Sequence, residues 1–264
     1  MELMNKKLLI MLFFCLLSTN AYAVDYCADA NAQICWDLEE NTGTTTSDQT
    51  SNSRDGTFKA SGEPAWSQTS PPTNYTTFVD PDGSNDYISS PDVSGLDLSS
   101  GDWTCYMSVD PGSGTFDRWV RKTAVNEGWG IAQESTTDLR VFIGAASGNP
   151  DYCTVKTDAF AAGWHDLFFM YDQSVDDARL YIDKAYETNP SGWRVCDSGH
   201  AYGDPSDDKF YLLAQDNGGG TTANVAAFAC WNDLLTTTEM DDITDNGLGN
   251  GGGTPSTRRT MTIQ

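Results

Sequence analysis

The chain has 264 residues and a formal net charge of −23, from 38 acidic against 15 basic side chains. A charge of that sign and size excludes nucleic acid and anionic lipid surfaces as partners, because both would repel it. With 39% hydrophobic residues, the length fits one large core better than several small domains.

Residues 1–23 read as an export signal. Lys6 and Lys7 supply a positive start, residues 8–17 an apolar run, and Ala21-Tyr22-Ala23 a small-x-small cleavage site. The run is about half of the ~20 residues that span a bilayer, so cleavage after Ala23 is expected rather than anchoring. Phe14 before Cys15 is too bulky for a lipoprotein site. The mature chain then starts at Val24 with 13 basic and 37 acidic residues. It is expected to be secreted, periplasmic or displayed at the cell surface, with no membrane span after signal removal. Its acidity also supplies oxygen ligands for a hard cation such as Ca2+.

Six cysteines remain: Cys27, Cys35, Cys105, Cys153, Cys196 and Cys230. An even number in an exported chain implies disulfides. Cys27 and Cys35 flank a short loop and are expected to pair; the partners of the other four stay open. No CxxC pair occurs and only His165 and His200 could assist, so zinc is not expected.

Residues 33–38 alternate, with Ile34, Trp36 and Leu38 on one side. This predicts a first strand facing a core, with Asp37 and Glu39 outside. Residues 41–56 are small and polar, a surface loop. Short strands are expected over 58–66 and 75–79, separated by the Pro71-Pro72 turn, and 80–88 forms a tight turn into the next strand. Residues 103–109, 118–122, 128–133, 139–145 and 153–156 read as strands joined by Gly, Asn and Asp turns. Residues 168–183 read as a hairpin, an apolar run followed by a polar turn and a second strand. In that second strand Leu180 and Ile182 face one way, and Arg179, Tyr181 and Asp183 the other. Strands continue over 193–196, 210–214 and 223–231. Thr236-Thr237-Thr238-Glu239 forms a capping box for one short helix ending near Gly247. A glycine-rich linker and polar tail follow over 247–264. The pattern predicts an all-β domain over 24–246, a two-sheet antiparallel jelly-roll β-sandwich with one short C-terminal helix. Trp36, Trp103, Trp164 and Trp231 are assigned to its core.

Several of these pieces, in this order, resemble the concanavalin A-like jelly rolls of the laminin-G and pentraxin type. They are Trp36 and Leu38 followed by Gly43 and Asp55-Gly56, then Asp86-Tyr87-Ile88, then Trp103-Thr104. Trp164-His165 before the hairpin, Leu180-Tyr181-Ile182-Asp183, and Trp231-Asn232 with Leu235 and Glu239 complete the set. Three departures stand out. Lys184 replaces the glycine of the family's Tyr-Ile-Asp-Gly turn, Asp80-Pro81 leads the Asp-Gly turn, and Phe168 stands where pentraxins place a bridging cysteine. The resemblance implies a closing strand beside the Trp103 strand, hence Cys105 with Cys230, leaving Cys153 with Cys196.

The same fold class includes glucanases and lyases. Retaining glucanases need two carboxyl groups about 5 Å apart, which the family writes as Glu-x-Asp-x-x-Glu. Here Glu239-Met240-Asp241 has Thr244 in the third place and lies in the expected helix, and Asp37-Leu38-Glu39 faces outward. His165 reads as structural and His200 has no evident partner. No catalytic residue is expected. For a calcium-assisted binding module, the candidate ligands are Asp82 and Asp86, with Asp80 and Asn85, and the cluster Gln215, Asp216 and Asn217. That cluster matches a pentraxin metal loop in position, although all these residues are common turn formers. Trp119, Trp129, Trp193 and Tyr202 are the aromatic candidates for stacking on sugar rings; each also suits packing. The expected function is non-enzymatic recognition of a glycan or an extracellular surface protein. A protein-only adhesion domain is the alternative, with a polysaccharide hydrolase or lyase behind it.

Overall fold

In the computed structural model the described residues are 24–59, 64–83, 86–97, 101–112, 117–122, 128–133, 139–144, 150–151, 162–174, 177–187, 209–213 and 221–249. The first strands are β1 (Ala32–Trp36), β2 (Thr45–Thr46), β3 (Gly56–Phe58), β4 (Ala65–Ser67), β5 (Phe78–Asp80) and β6 (Ile88–Ser90). Next come β7 (Trp103–Asp110), β8 (Asp117–Lys122), β9 (Gly128–Gln133), β10 (Leu139–Gly144) and β11 (Pro150–Asp151). The chain continues with β12 (His165–Asp172), β13 (Asp177–Ile182), β14 (Ala185–Tyr186), β15 (Phe210–Leu212) and β16 (Asn224–Trp231), then α1 (Thr237–Asn246).

These strands form two antiparallel sheets. One runs β14-β13-β12-β7-β16-β5-β4, with β1 also paired to β16; the other runs β11-β10-β9-β8-β15-β6-β3-β2. Their facing sides enclose a core built around Trp36, Trp103, Phe169, Leu180, Phe210 and Phe228. The sheet containing β16 is also covered on its outer side. There Tyr106, Phe168, Met170, Tyr181 and Trp231 form a second core, closed by Tyr26, Met240, Ile243 and Leu248.

That double covering explains the local sequence. In β7 and β16 nearly every residue is buried, and in β12 the run from Leu167 to Tyr171, so these strands read as apolar runs. In β3, β6 and β15 burial alternates, the mark of a sheet with one wet face. The expected hairpin forms from β12 and β13, with Phe169 paired to Leu180, but both its faces are buried, not one. Tyr181 and Phe168 point into the second core and Leu180 and Phe169 into the first.

The capping box of α1 forms, with Thr236 Oγ1 accepting from the Glu239 N–H and the Glu239 carboxylate accepting from the Thr236 N–H. Gly247 (φ 77°) ends the helix, its N–H bonded to Ile243 O at 2.8 Å. Thr236→Ala is expected to cost about 1 kcal/mol of stability, measured by urea denaturation. Packing continues past residue 246: Leu248 is buried and its carbonyl accepts from Tyr26 N–H at 3.0 Å.

Three boundaries differ from expectation. Phe58 and Trp66 belong to opposite sheets rather than one strand over 58–66, and their rings stack at 5.1 Å. β1 ends at Trp36, short of the expected residue 38, and Leu38 takes a left-handed φ of 49°, although it joins Ile34 and Trp36 in the core as expected. Trp164 is half-buried at the margin of the second core, its Nε1 donating to Ser70 O at 3.0 Å.

Among the described residues two disulfides form, Cys27–Cys35 and Cys105–Cys230. The second joins directly opposed residues of β7 and β16. Such bonds persist in oxidising compartments. Cys153 and Cys196 lie outside the described residues. No helix among the described residues is long and apolar enough to cross a membrane.

Candidate functional site

The outer side of the second sheet is the wet face, and β3, β6, β15 and β8 bring four half-buried side chains together on it. Tyr211 sits midway along β15, flanked by Ser89 of β6 and Arg121 of β8. Thr57 of β3 lies beyond Ser89. Tyr87 immediately precedes β6, and its ring meets that of Tyr211 edge to face, centroids 5.6 Å apart. Lys59 Nζ lies 5.7 Å from the Tyr87 centroid and Arg121 Cζ lies 5.9 Å from that of Tyr211. The Lys59 N–H donates to Tyr87 O at 3.1 Å, which fixes the chain there. All four side chains are half-buried. Cations over tyrosine rings in such settings are attracted by about 0.5–1 kcal/mol each. Two aromatic rings and two cations therefore share one small patch of a strongly acidic chain.

The turn that delivers Tyr87 is the expected calcium turn. Asp82 N–H donates to Asp86 Oδ2 at 2.6 Å. Asp86 is buried, and among the described residues its Oδ1 has no hydrogen-bond partner. Burial, offset by the Asp82 N–H and reinforced by the Asp82 charge, holds the Asp86 carboxyl above its usual range. Gly83 (φ 81°) lets the turn pass against Thr222. Because Leu212 pairs with Ile88, Leu213 leaves the sheet where Tyr87 enters it. Among the described residues no three His, Cys, Asp or Glu side chains converge to hold a metal. Gln215, Asp216 and Asn217 lie outside the described residues.

The aromatic candidates divide. Trp119 and Trp129 are 0% and 1% exposed, so neither offers a ring to a ligand. Trp129 stacks on Trp103 at 4.4 Å, and its Nε1 donates to Leu96 O at 2.8 Å. Both lie on the strands expected there, β8 and β9, and both side chains fill the core. Trp193 and Tyr202 lie outside the described residues. Tyr87 and Tyr211, which sequence reasoning passed over, were detectable as the out-of-phase positions beside Ile88 and between Phe210 and Leu212.

The acid pairs considered for catalysis are committed to structure. Glu39 accepts from the Thr76 N–H at 2.7 Å and from its hydroxyl, and Glu40 accepts from Ser47 N–H at 2.6 Å. Asp37 is half-buried rather than fully outside, and burial followed by the Glu40 charge pushes its carboxyl up. Glu239 caps α1, and Asp241 accepts from Tyr181 Oη at 2.5 Å.

His165 Nδ1 lies 2.6 Å from Asp183 Oδ2. Beside it lies an arrangement the sequence does not announce. Tyr106 Oη donates to Asp166 Oδ1 at 2.6 Å, and Tyr75 Oη lies 3.3 Å from Tyr106 Oη. Burial pushes the Asp166 carboxyl up to about 6, against the Tyr106 hydrogen bond and with help from the Asp183 charge. Burial also raises Asp183, but the His165 ring and the Asp166 N–H more than offset it and hold that carboxyl below its usual range.

No protein-family model matches the chain, and no characterised protein matches it by sequence. Solved structures do match in fold. The binding domain of Paraclostridial mosquitocidal protein 1 superposes with a TM-score of 0.59 at 11% identity, over 80% of this chain and 51% of that one. The binding domain of botulinum neurotoxin DC matches in two complexes. With rat synaptotagmin II the TM-score is 0.56 at 10% identity, and with SialylT 0.58 at 10% identity, each over 83% of this chain and 52% of that one. The chain therefore spans about half the length of these binding domains. At such identity the likeness is one of fold, a two-sheet β-sandwich shared with toxin binding domains.

Proposed function

We propose that this chain is a secreted, non-enzymatic recognition module of the concanavalin A-like, laminin-G type that binds an acidic glycan or a glycan-bearing extracellular surface. The observation that carries this reading is the Lys59–Tyr87–Tyr211–Arg121 patch. Tyrosine rings offer apolar faces to a sugar, and the two cations favour an anionic substituent. Similar sandwiches serve as binding domains, and one of them, that of botulinum neurotoxin DC, has been solved both with rat synaptotagmin II and with SialylT. The local engagement of Glu39, Glu40, Glu239 and Asp241 supports a role without hydrolysis. The export signal over residues 1–23 belongs to this proposal, and the two disulfides suit it.

Calcium is the proposed assisting ion at the Asp82–Asp86 turn, where the unpaired, buried Asp86 Oδ1 is the kind of hard oxygen it takes. A glycan array run with calcium and with chelator tests both parts. The reading expects binding to acidic glycans that falls about tenfold, or ~1.4 kcal/mol, in Tyr87→Ala/Tyr211→Ala. It also expects a lower melting temperature in chelator. Binding that survives the double substitution removes the patch, and an unchanged melting temperature removes the calcium. Measurable polysaccharide cleavage by the purified chain would overturn the non-enzymatic reading.

A further inference from the structure

Strand β8 carries a lysine on its inner face. Lys122 lies two residues after the buried Val120, so both point into the sandwich, and Lys122 is 1% exposed. Its cross-strand neighbours are Trp129 and Phe210, both buried. The connection from β6 to β7 folds over its end. Val93 and Leu96 are buried there, and a short 3-10 turn, Ser94–Leu96, ends at Asp97, whose N–H bonds Ser94 O at 3.3 Å. Trp129 Nε1 holds Leu96 O, and Gly95 packs so closely on Gln33 that an added Cβ would collide with its Oε1. The segment is thus fixed from both sides. The Lys122 ammonium contacts the Asp97 carboxylate, and Asp92 Oδ1 lies 3.1 Å from the same nitrogen.

A buried ion pair gains little, because desolvation of the two charges offsets their attraction. An amine and a carboxyl group held in contact, with a second carboxylate beside them, are also the reactants and proton carrier of an amide condensation. In bulk water hydrolysis wins. Groups held in one geometry reach effective molarities on the order of 10⁵–10⁸ M, and the burial of Lys122 and Asp97 limits the competing water.

We propose that Lys122 and Asp97 condense into an intramolecular isopeptide crosslink, with Asp92 as the proton carrier. The Asp92 carboxylate takes one proton from the ammonium and frees the Nζ lone pair. Nζ attacks Asp97 Cγ, forming the N–C bond. One Cγ–Oδ bond of Asp97 breaks, and the departing oxygen leaves as water. Its two protons are the one Asp92 returns and a second from Nζ, whose last proton stays on the amide. Asp92 ends as it began, and no oxidant, reductant or cofactor enters. The product ties the β6–β7 connection covalently to β8, and thiol reductants do not open it.

Peptide mapping of the reduced full chain tests this. Between Lys59 and Arg118, and between Lys122 and Arg140, the sequence contains no other basic residue. Trypsin therefore releases residues 60–118 and residues 123–140 as separate peptides from an uncrosslinked chain. The crosslinked chain is expected to yield one branched peptide, 60–118 joined to 122–140, lighter than the two parts together by one water and uncut after Lys122. Lys122→Arg should abolish the branched peptide. Asp92→Ala, with its circular dichroism spectrum checked against wild type, should lose at least nine-tenths of it. Wild-type protein that gives only the linear peptides overturns the crosslink. Full crosslinking in Asp92→Ala overturns the role of Asp92.

Discussion

Trp103→Ala is expected to cost about 3–5 kcal/mol of stability, the range for emptying a buried aromatic site. For a chain of this size that lowers the melting temperature by on the order of 10 °C. Trp103 is fully buried in the main core. Its ring is stacked on Trp129 at 4.4 Å, meets Phe169 edge-on at 4.9 Å and tilts against Tyr171 at 5.7 Å. These partners come from β9 and β12, so the ring joins both sheets, and its removal leaves a void that rigid backbones on two sides do not fill. The indole N–H adds a discriminating case, because it is buried without a hydrogen-bond partner. Trp103→Phe therefore loses volume but also removes an unpaired donor, whose burial costs about 1–3 kcal/mol. It should be at least about 2 kcal/mol milder than the alanine variant, given the size of those two effects. Equal losses in urea denaturation of the two variants would show that the packing contribution has been misjudged.

The second large effect is on pH dependence and runs opposite to ordinary acid denaturation. The Asp166 carboxyl sits at about 6 in the folded chain against a reference of 3.8. Between those values the native chain holds a proton that the unfolded chain has released, so stability falls as pH rises. The contribution is fully present below about 4 and is lost as pH passes through about 6. Its size is about 2–3 kcal/mol, at ~1.4 kcal/mol for each tenfold gain in proton affinity. Asp37 and Asp86, both raised, act in the same direction. Asp183, held low beside His165, opposes them, its share being lost as pH falls through its folded value. Asp166→Asn keeps an acceptor for Tyr106 Oη and removes the charge. It should raise stability near neutral pH by about 2 kcal/mol and change little near pH 4. Urea unfolding of both proteins at the two pH values measures this, and parallel pH profiles would exclude Asp166 as the source.

Much of the fold was legible because strand periodicity and helix capping are local. Residues 128–133 and the α1 capping box were found where the sequence places them. The Cys105–Cys230 pairing followed from family resemblance and formed as implied. Other features depend on which sheet a strand joins, and period alone does not carry that. Phe58 and Trp66 look like one strand because both are aromatic and close in sequence, yet the chain crosses between sheets from one to the other. Trp119 and Trp129 suit either a ligand or the core, because period alone does not say which face of β8 or β9 is inside. Lys122 was passed over because a charged residue is assumed to face water, although its phase with Val120 points inward. The Tyr75–Tyr106–Asp166 array needs the register of β7 against β12, which places Asp166 opposite Ser108. The Lys59–Tyr87–Tyr211–Arg121 patch likewise needs four strands, β3, β6, β15 and β8, brought side by side.

The position of β16 also constrains how the chain folds in time. It is the last strand in sequence, yet it lies in the middle of its sheet, between β7 on one side and β1 and β5 on the other. Ile34 and Cys230 are direct partners although nearly the whole chain separates them. Contacts this distant in sequence make folding slow, because the loop must close before any pairing rewards it. Until residue 231 is available, β7 and β5 have no partner between them and neither core can close. A chain cut before β16 would therefore lose the centre of a sheet, not its edge, and C-terminal truncations reaching this strand should yield no folded remnant.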